Sequence, residues 1–89
     1  MNKIPLEVGR IVRSRAGRDS GRLFVILSEV DSDFVIIADG LLRRIDRPKK
    51  KRRKHLDATP ERFPSMTPWP PEDHMIRSAL KAEATKEEG

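Results

Sequence analysis

The chain has no cysteine and no tyrosine, and its aromatic residues are Phe24, Phe34, Phe63 and Trp69. Without thiols, neither a disulfide framework nor a thiolate metal site is open to it. Its two histidines, His55 and His74, are isolated from any partner that would make a nucleophile or a metal set. The glycines of Gly17-Arg18-Asp19-Ser20-Gly21 lack the spacing and the Lys-Ser/Thr ending of a phosphate-binding P-loop. Asp31, Asp33 and Asp39 stand at turns, where carboxylates hold backbone N–H groups more often than metal. The sequence therefore reads as that of a non-enzymatic protein with no cofactor and no small-molecule substrate. No stretch approaches the roughly 20 apolar residues that span a bilayer. Met1–Glu7 lacks the apolar core of a signal peptide. The expectation is a cytoplasmic protein with no membrane association.

What the chain does have is charge, unevenly spread. With 89 residues, one domain is expected. A domain of this size has a thin margin between burial and chain entropy. Hydrophobic residues make up 36% and charged residues 37%, a balance that fits a small folded core carrying polar extensions. Residues 1–42 hold six Lys/Arg and six Asp/Glu; residues 43–54 hold nine Lys/Arg against Asp46 alone; residues 55–89 hold four bases and seven acids. The net charge of +5 thus comes from the twelve residues 43–54. Such a block repels itself, and it is expected to stay extended, as a basic arm, until a polyanion neutralises it.

Nearly all the bulky apolar residues lie between Val8 and Ile45, and they read as short strands separated by turns. Val8–Arg15 is a first strand, Ala16–Gly21 a loop, and Arg22–Val30 a second strand whose unbroken apolar centre asks for burial on both faces. Asp31–Asp33 is a turn and Phe34–Ala38 a third strand. Asp39-Gly40 signals a hairpin into a fourth strand, Leu41–Ile45, which Pro48 closes off. His55-Leu56-Asp57 is a short closing strand. Pro60–Pro71 contains five prolines and reads as an extended linker. Phe63, Met66 and Trp69 recur in it every third residue, the period of a polyproline helix, either as anchors onto the domain or as a partner-binding strip. A helix follows Pro71, with acids in its first turn and a stripe of Met75, Ile76, Ala79 and Leu80; Thr85–Gly89 is expected to fray. The organisation expected is a β domain over 1–58 that includes the basic segment 43–54, a Pro-rich linker over 59–71 and a C-terminal helix over 72–86.

Val8-Gly9-Arg10-Ile11-Val12 through Gly21-Arg22-Leu23-Phe24-Val25-Ile26 resembles the KOW motif: alternating apolar residues around a glycine, here Gly21, that follows a basic, polar loop. Asp39-Gly40, Arg44 and His55-Leu56 extend the likeness over about residues 8–57. It is a likeness to the archaeal and eukaryotic large-subunit ribosomal protein family with an N-terminal KOW domain. After Thr59 the chain departs from that family, ending acidic where eukaryotic members carry a long basic helical extension. Its length suits a shorter bacterial KOW-containing protein. The resemblance implies an all-β fold, a small SH3-like barrel (KOW domain), here with a basic arm and a short C-terminal helix. It further implies that the domain binds RNA, ribosomal RNA in particular, with ribosomal proteins as further partners.

On that reading, Arg43, Arg44, Arg47, Lys49, Lys50, Lys51, Arg52, Arg53 and Lys54 neutralise phosphates and release counterions. Arg13, Arg15, Arg18 and Arg22 flank the loop; they either extend the positive surface or pair with Asp19 or Glu29. Phe24 and Phe34 are assigned to the core, so recognition is expected to lean on phosphates and RNA shape rather than on splayed bases. The competing expectation is a protein-interaction module that docks a component of the transcription or translation machinery through the barrel and the Pro/Trp linker.

Overall fold

Residues 23–29 and 34–38 carry runs of β-branched and bulky apolar side chains and residues 10–14 the pair Ile11-Val12, and each forms a strand. The computed structural model describes residues 4–64 and 68–88. Five strands, β1 (Arg10–Ser14), β2 (Leu23–Glu29), β3 (Phe34–Ala38), β4 (Lys49–Arg52) and β5 (Leu56–Arg62), precede one helix, α1 (Asp73–Glu88). The strands form one sheet in the order β4-β3-β2-β1-β5, with every neighbouring pair antiparallel. β4 and β5 occupy opposite ends of that order, yet only the 3₁₀ turn Arg53–His55 separates them in sequence. The sheet must therefore curl strongly, although no ladder joins β4 to β5 among the described residues.

Period-two alternation sends the side chains of β1–β3 to two faces, and both are buried. Val12, Phe24, Ile26, Val35 and Ile37 pack with Leu56 into one cluster inside the curl. Ile11, Val25 and Ala38 form the second cluster, with Phe63, Ile76 and Leu80. The two-sided burial expected of β2 thus holds, and α1 together with Phe63 covers the second face. Burying a side chain such as Phe24 or Ile76 completely is worth about 2–3 kcal/mol. Ile76 and Leu80 lie four apart, on one helix face, which is why this short amphipathic helix docks. Trp69 stacks edge-on to Phe63 with ring centroids 5.8 Å apart, and its Nε1 donates to the Leu27 carbonyl at 2.9 Å. Phe63 and Trp69 therefore act as anchors of the linker onto the domain; Met66 lies outside the described residues.

Four local expectations are corrected. Leu41–Ile45 is not a strand: the Asp39 carboxylate accepts the N–H groups of Leu41 (2.9 Å) and Arg43 (2.8 Å) and holds the chain in a loop. The basic run is not a free arm: residues 49–52 are β4, entered after Pro48, and residues 53–55 are the turn into β5. β5 is longer than the expected closing strand and runs through Pro60, which an edge strand tolerates. The helix continues to Glu88 instead of fraying at Thr85.

Candidate nucleic-acid interface

A strand made of Lys49-Lys50-Lys51-Arg52 has no apolar alternation of its own, and its partner supplies the reason it forms. Lys51 sits opposite Val35 and Lys49 opposite Ile37, both members of the inner cluster. Residues directly opposite share a face, so the aliphatic stems of these two lysines cover that end of the core. Lys51 is 9% exposed, and its Nζ reaches the Ala16 carbonyl at 3.4 Å. Lys49 Nζ donates to Asp19 Oδ2 at 2.6 Å. That hydrogen bond, with the nearby charges of Lys49, Lys51 and Arg43, holds the Asp19 carboxyl below the ordinary aspartate value. Both contacts seat β4 against the β1–β2 loop, which carries the 3₁₀ turn Gly17–Asp19.

Lys50 and Arg52 point to the other face. Lys50 Nζ lies 4.6 Å and Arg52 Cζ 4.8 Å from the centroid of the Phe34 ring. Phe24 is core, as expected, whereas Phe34 is only half-buried and serves as a platform for two exposed cations. Such contacts are worth about 0.5–1 kcal/mol each at exposed sites and hold the cations in place without neutralising them.

Arg53 has a different task. Its guanidinium donates to the Asp31 carbonyl (3.0 Å), the Leu6 carbonyl (2.9 Å) and Glu29 Oε1 (2.9 Å). Its own N–H donates to the Asp33 carbonyl at 2.8 Å. It thereby clasps the β2–β3 turn, the N-terminal segment and the start of β5. Within that turn, Asp31 Oδ1 accepts the N–H groups of Asp33 and Phe34, which lowers the Asp31 pKa.

The thirteen expected phosphate-binding cations thus divide. Lys49, Lys51 and Arg53 are committed to the fold. Arg44 lies 3.6 Å from Asp73, and Arg22 pairs with Asp39 at 2.9 Å. Arg15 reaches Asp57 at 3.4 Å with both side chains 60% exposed, a weak surface pair. Arg13 donates to the Gly21 carbonyl at 2.5 Å. Pairing with Asp19 or Glu29 was open to Arg13, Arg15, Arg18 and Arg22; those acids instead take Lys49 and Arg53. Among the described residues Arg18, Arg47 and Lys54 make no side-chain hydrogen bond or ion pair, and all three are exposed. With Lys50 and Arg52 they are the expected contact residues that stay exposed with no acid paired to them among the described residues. Arg43 is half-buried, and its charge acts on Asp19, which puts it on the same side as the β1–β2 loop.

Gly21, singled out as the motif glycine, has φ +87°, a conformation that glycine alone adopts without strain. His55 reports the field of the basic turn. Partial burial, and then the charges of Lys54, Lys51, Arg52 and Arg15, hold its imidazole below the ordinary value. No group of three or more His, Asp or Glu side chains among the described residues is placed to share a metal ion. Among those residues, too, no helix is long and apolar enough to cross a membrane.

Two contributors went unread in the sequence. One is Phe34, whose role follows from its place opposite Arg52 in the ladder. The other is the pair Arg77 and Lys81 on α1, which line a cleft with Arg13, Arg22 and Asp39; their four-residue spacing was the available signal. No protein-family model matches the chain.

Proposed function

We propose that this is a non-enzymatic RNA-binding protein whose curled sheet is an SH3-like barrel of the KOW type. The strand order β4-β3-β2-β1-β5, the 3₁₀ turn linking its two end strands and the left-handed glycine closing the β1–β2 loop support that reading of the fold. The observation that carries the function is the alternation along β4. Lys49 and Lys51 lock the strand to the core and to the β1–β2 loop, and this holds Lys50 and Arg52 outward on a rigid edge. Preorganised cations lose little side-chain freedom when they meet phosphate, unlike those of an extended arm. Lys54 lies beside Arg52 at the β4–β5 turn and adds to that charge. A polyanion with regularly spaced phosphates suits it, and structured ribosomal RNA in the cytoplasm is the proposed target. In the alternative docking strip Phe63 is buried, while Trp69 donates to the Leu27 carbonyl and keeps 39% of its surface exposed.

The test is sedimentation of a lysate with and without ribonuclease. The account expects the protein in ribosomal fractions, released when RNA is digested. Retention on the protein-only remnant would contradict it.

A further inference from the structure

Arg77, Lys81 and Ala84 follow one another on α1 at spacings of four and three, so they share one helix face. That face borders a cleft of about 420 Å³ whose far side is the end of the β1–β2 loop, at Gly21 and Arg22. The volume falls within the range of small-ligand sites. The apolar lining comes from Leu23, Leu80 and Ala84, with Leu41 beside them at 62% exposure. The charged lining is cationic apart from Asp39, and that acid is already engaged. Its Oδ2 accepts from Arg22 at 2.9 Å, and its Oδ1 accepts two backbone N–H groups. Arg77 is held in place by donating to the Gly40 carbonyl at 2.6 Å. Lys81 is exposed and makes no hydrogen bond or ion pair among the described residues.

We propose that this cleft takes one unpaired nucleotide of the bound RNA. An apolar lining with cations at its rim matches a flat base joined to a phosphate. The base lies against Leu23 and Leu80, and the phosphate meets Lys81. The cleft adds a second cationic surface, carried by α1 and the end of the β1–β2 loop. Ala84 leaves the space open; a larger residue there fills it. The proposal rests on the RNA-binding reading and adds to it a preference for RNA with an unpaired nucleotide.

Two RNA probes test it, a fully paired duplex and the same duplex with a single bulged adenosine, measured by filter binding. The wild type should prefer the bulged RNA by about tenfold, the scale of partly burying one base against apolar side chains. Ala84→Phe fills the cleft without changing charge and should retain binding to the paired duplex while losing the preference. Lys81→Gln removes the rim charge and should weaken the bulged RNA more than the paired one. Equal affinity of the wild type for the two probes overturns the proposal while leaving RNA binding intact, and so does a preference undiminished in both variants. Failure to bind either probe overturns the RNA-binding reading itself. If the wild type does not distinguish the RNAs but binds a Glu/Leu-rich peptide that Ala84→Phe does not, the cleft belongs to an acidic protein segment and the proposal falls.

Discussion

Lys49 and Asp19, thirty residues apart in sequence, meet at 2.6 Å and join the edge strand β4 to the β1–β2 loop. The bond turns part of a basic run into a structural element and sets how the molecule responds to acid. Asp19 and Asp31 both have carboxyls held below the ordinary value of 3.8. A carboxylate with a lowered folded-state pKa stabilises the fold fully above its unfolded value, and that contribution is lost as pH falls through the folded value. The melting temperature should therefore drop as pH falls below about 4. Asp19→Asn should lower it at neutral pH and reduce its fall in acid. An unchanged acid response in Asp19→Asn would detach β4 from this link.

The division of labour within the basic run predicts opposite phenotypes for neighbouring residues. Changing Arg47, Lys50, Arg52 and Lys54 together to Gln should shift the melting temperature by no more than about 5 °C, since only weak cation–π contacts are lost. RNA affinity should fall at least tenfold. Arg53→Ala removes three side-chain hydrogen bonds. It should cost about 2–3 kcal/mol, which is more than about 8 °C in a domain of this size. Thermal melts of the two variants side by side decide whether the roles are assigned correctly.

Two glycines should respond for different reasons. Gly21 has φ +87° with open space around it, so Gly21→Val costs backbone strain alone, about 1–3 kcal/mol. Gly40 has φ +76°, and a Cβ there would run into the Asp73 carbonyl oxygen at the start of α1. Gly40→Ala adds that collision to the strain and should cost at least as much, about 2–4 kcal/mol. Denaturant titration measures both; a Gly40→Ala protein as stable as wild type would mean that α1 is not seated against the 39–47 loop.

The parts of this molecule that were legible in its sequence are those whose information is local. β1, β2 and β3 announce themselves by short β-branched and apolar runs between glycine- and aspartate-marked turns, and β3 falls on the expected residues. α1 is legible from its stripe. β4 was not, because nothing in Lys-Lys-Lys-Arg signals a strand. Its stability comes from Val35 and Ile37 across the ladder and from an aspartate thirty residues earlier. Leu41–Ile45 misled for the converse reason: an apolar pair resembles strand, but one carboxylate captured its backbone. At the candidate interface the residue types were legible, whereas the split between structural and free cations was not. That split depends on which face of β4 each side chain takes, and so on a register that only the folded sheet defines.

His55 offers a probe of the interface that does not depend on affinity. The positive charges of Lys54, Lys51, Arg52 and Arg15 contribute to its lowered pKa. A bound polyanion offsets those charges, so the His55 pKa should rise on adding RNA, and complex formation should take up protons in that pH range. The imidazole signals followed by NMR across a pH titration, with and without RNA, show this directly. An unmoved His55 in a saturated complex would put the RNA elsewhere on the molecule.

The central claim is that phosphates meet the cations β4 holds outward, and the salt dependence of RNA affinity tests it most directly. With about five phosphate contacts, log affinity should fall against log salt with a slope of about −3.5 for single-stranded RNA. A fourfold rise in salt then weakens binding by about two orders of magnitude. The variant with Gln at 47, 50, 52 and 54 should show a slope shallower by about 2.8, because four contacts are gone. A slope near zero in the wild type, or the same steep slope in both proteins, would contradict the account.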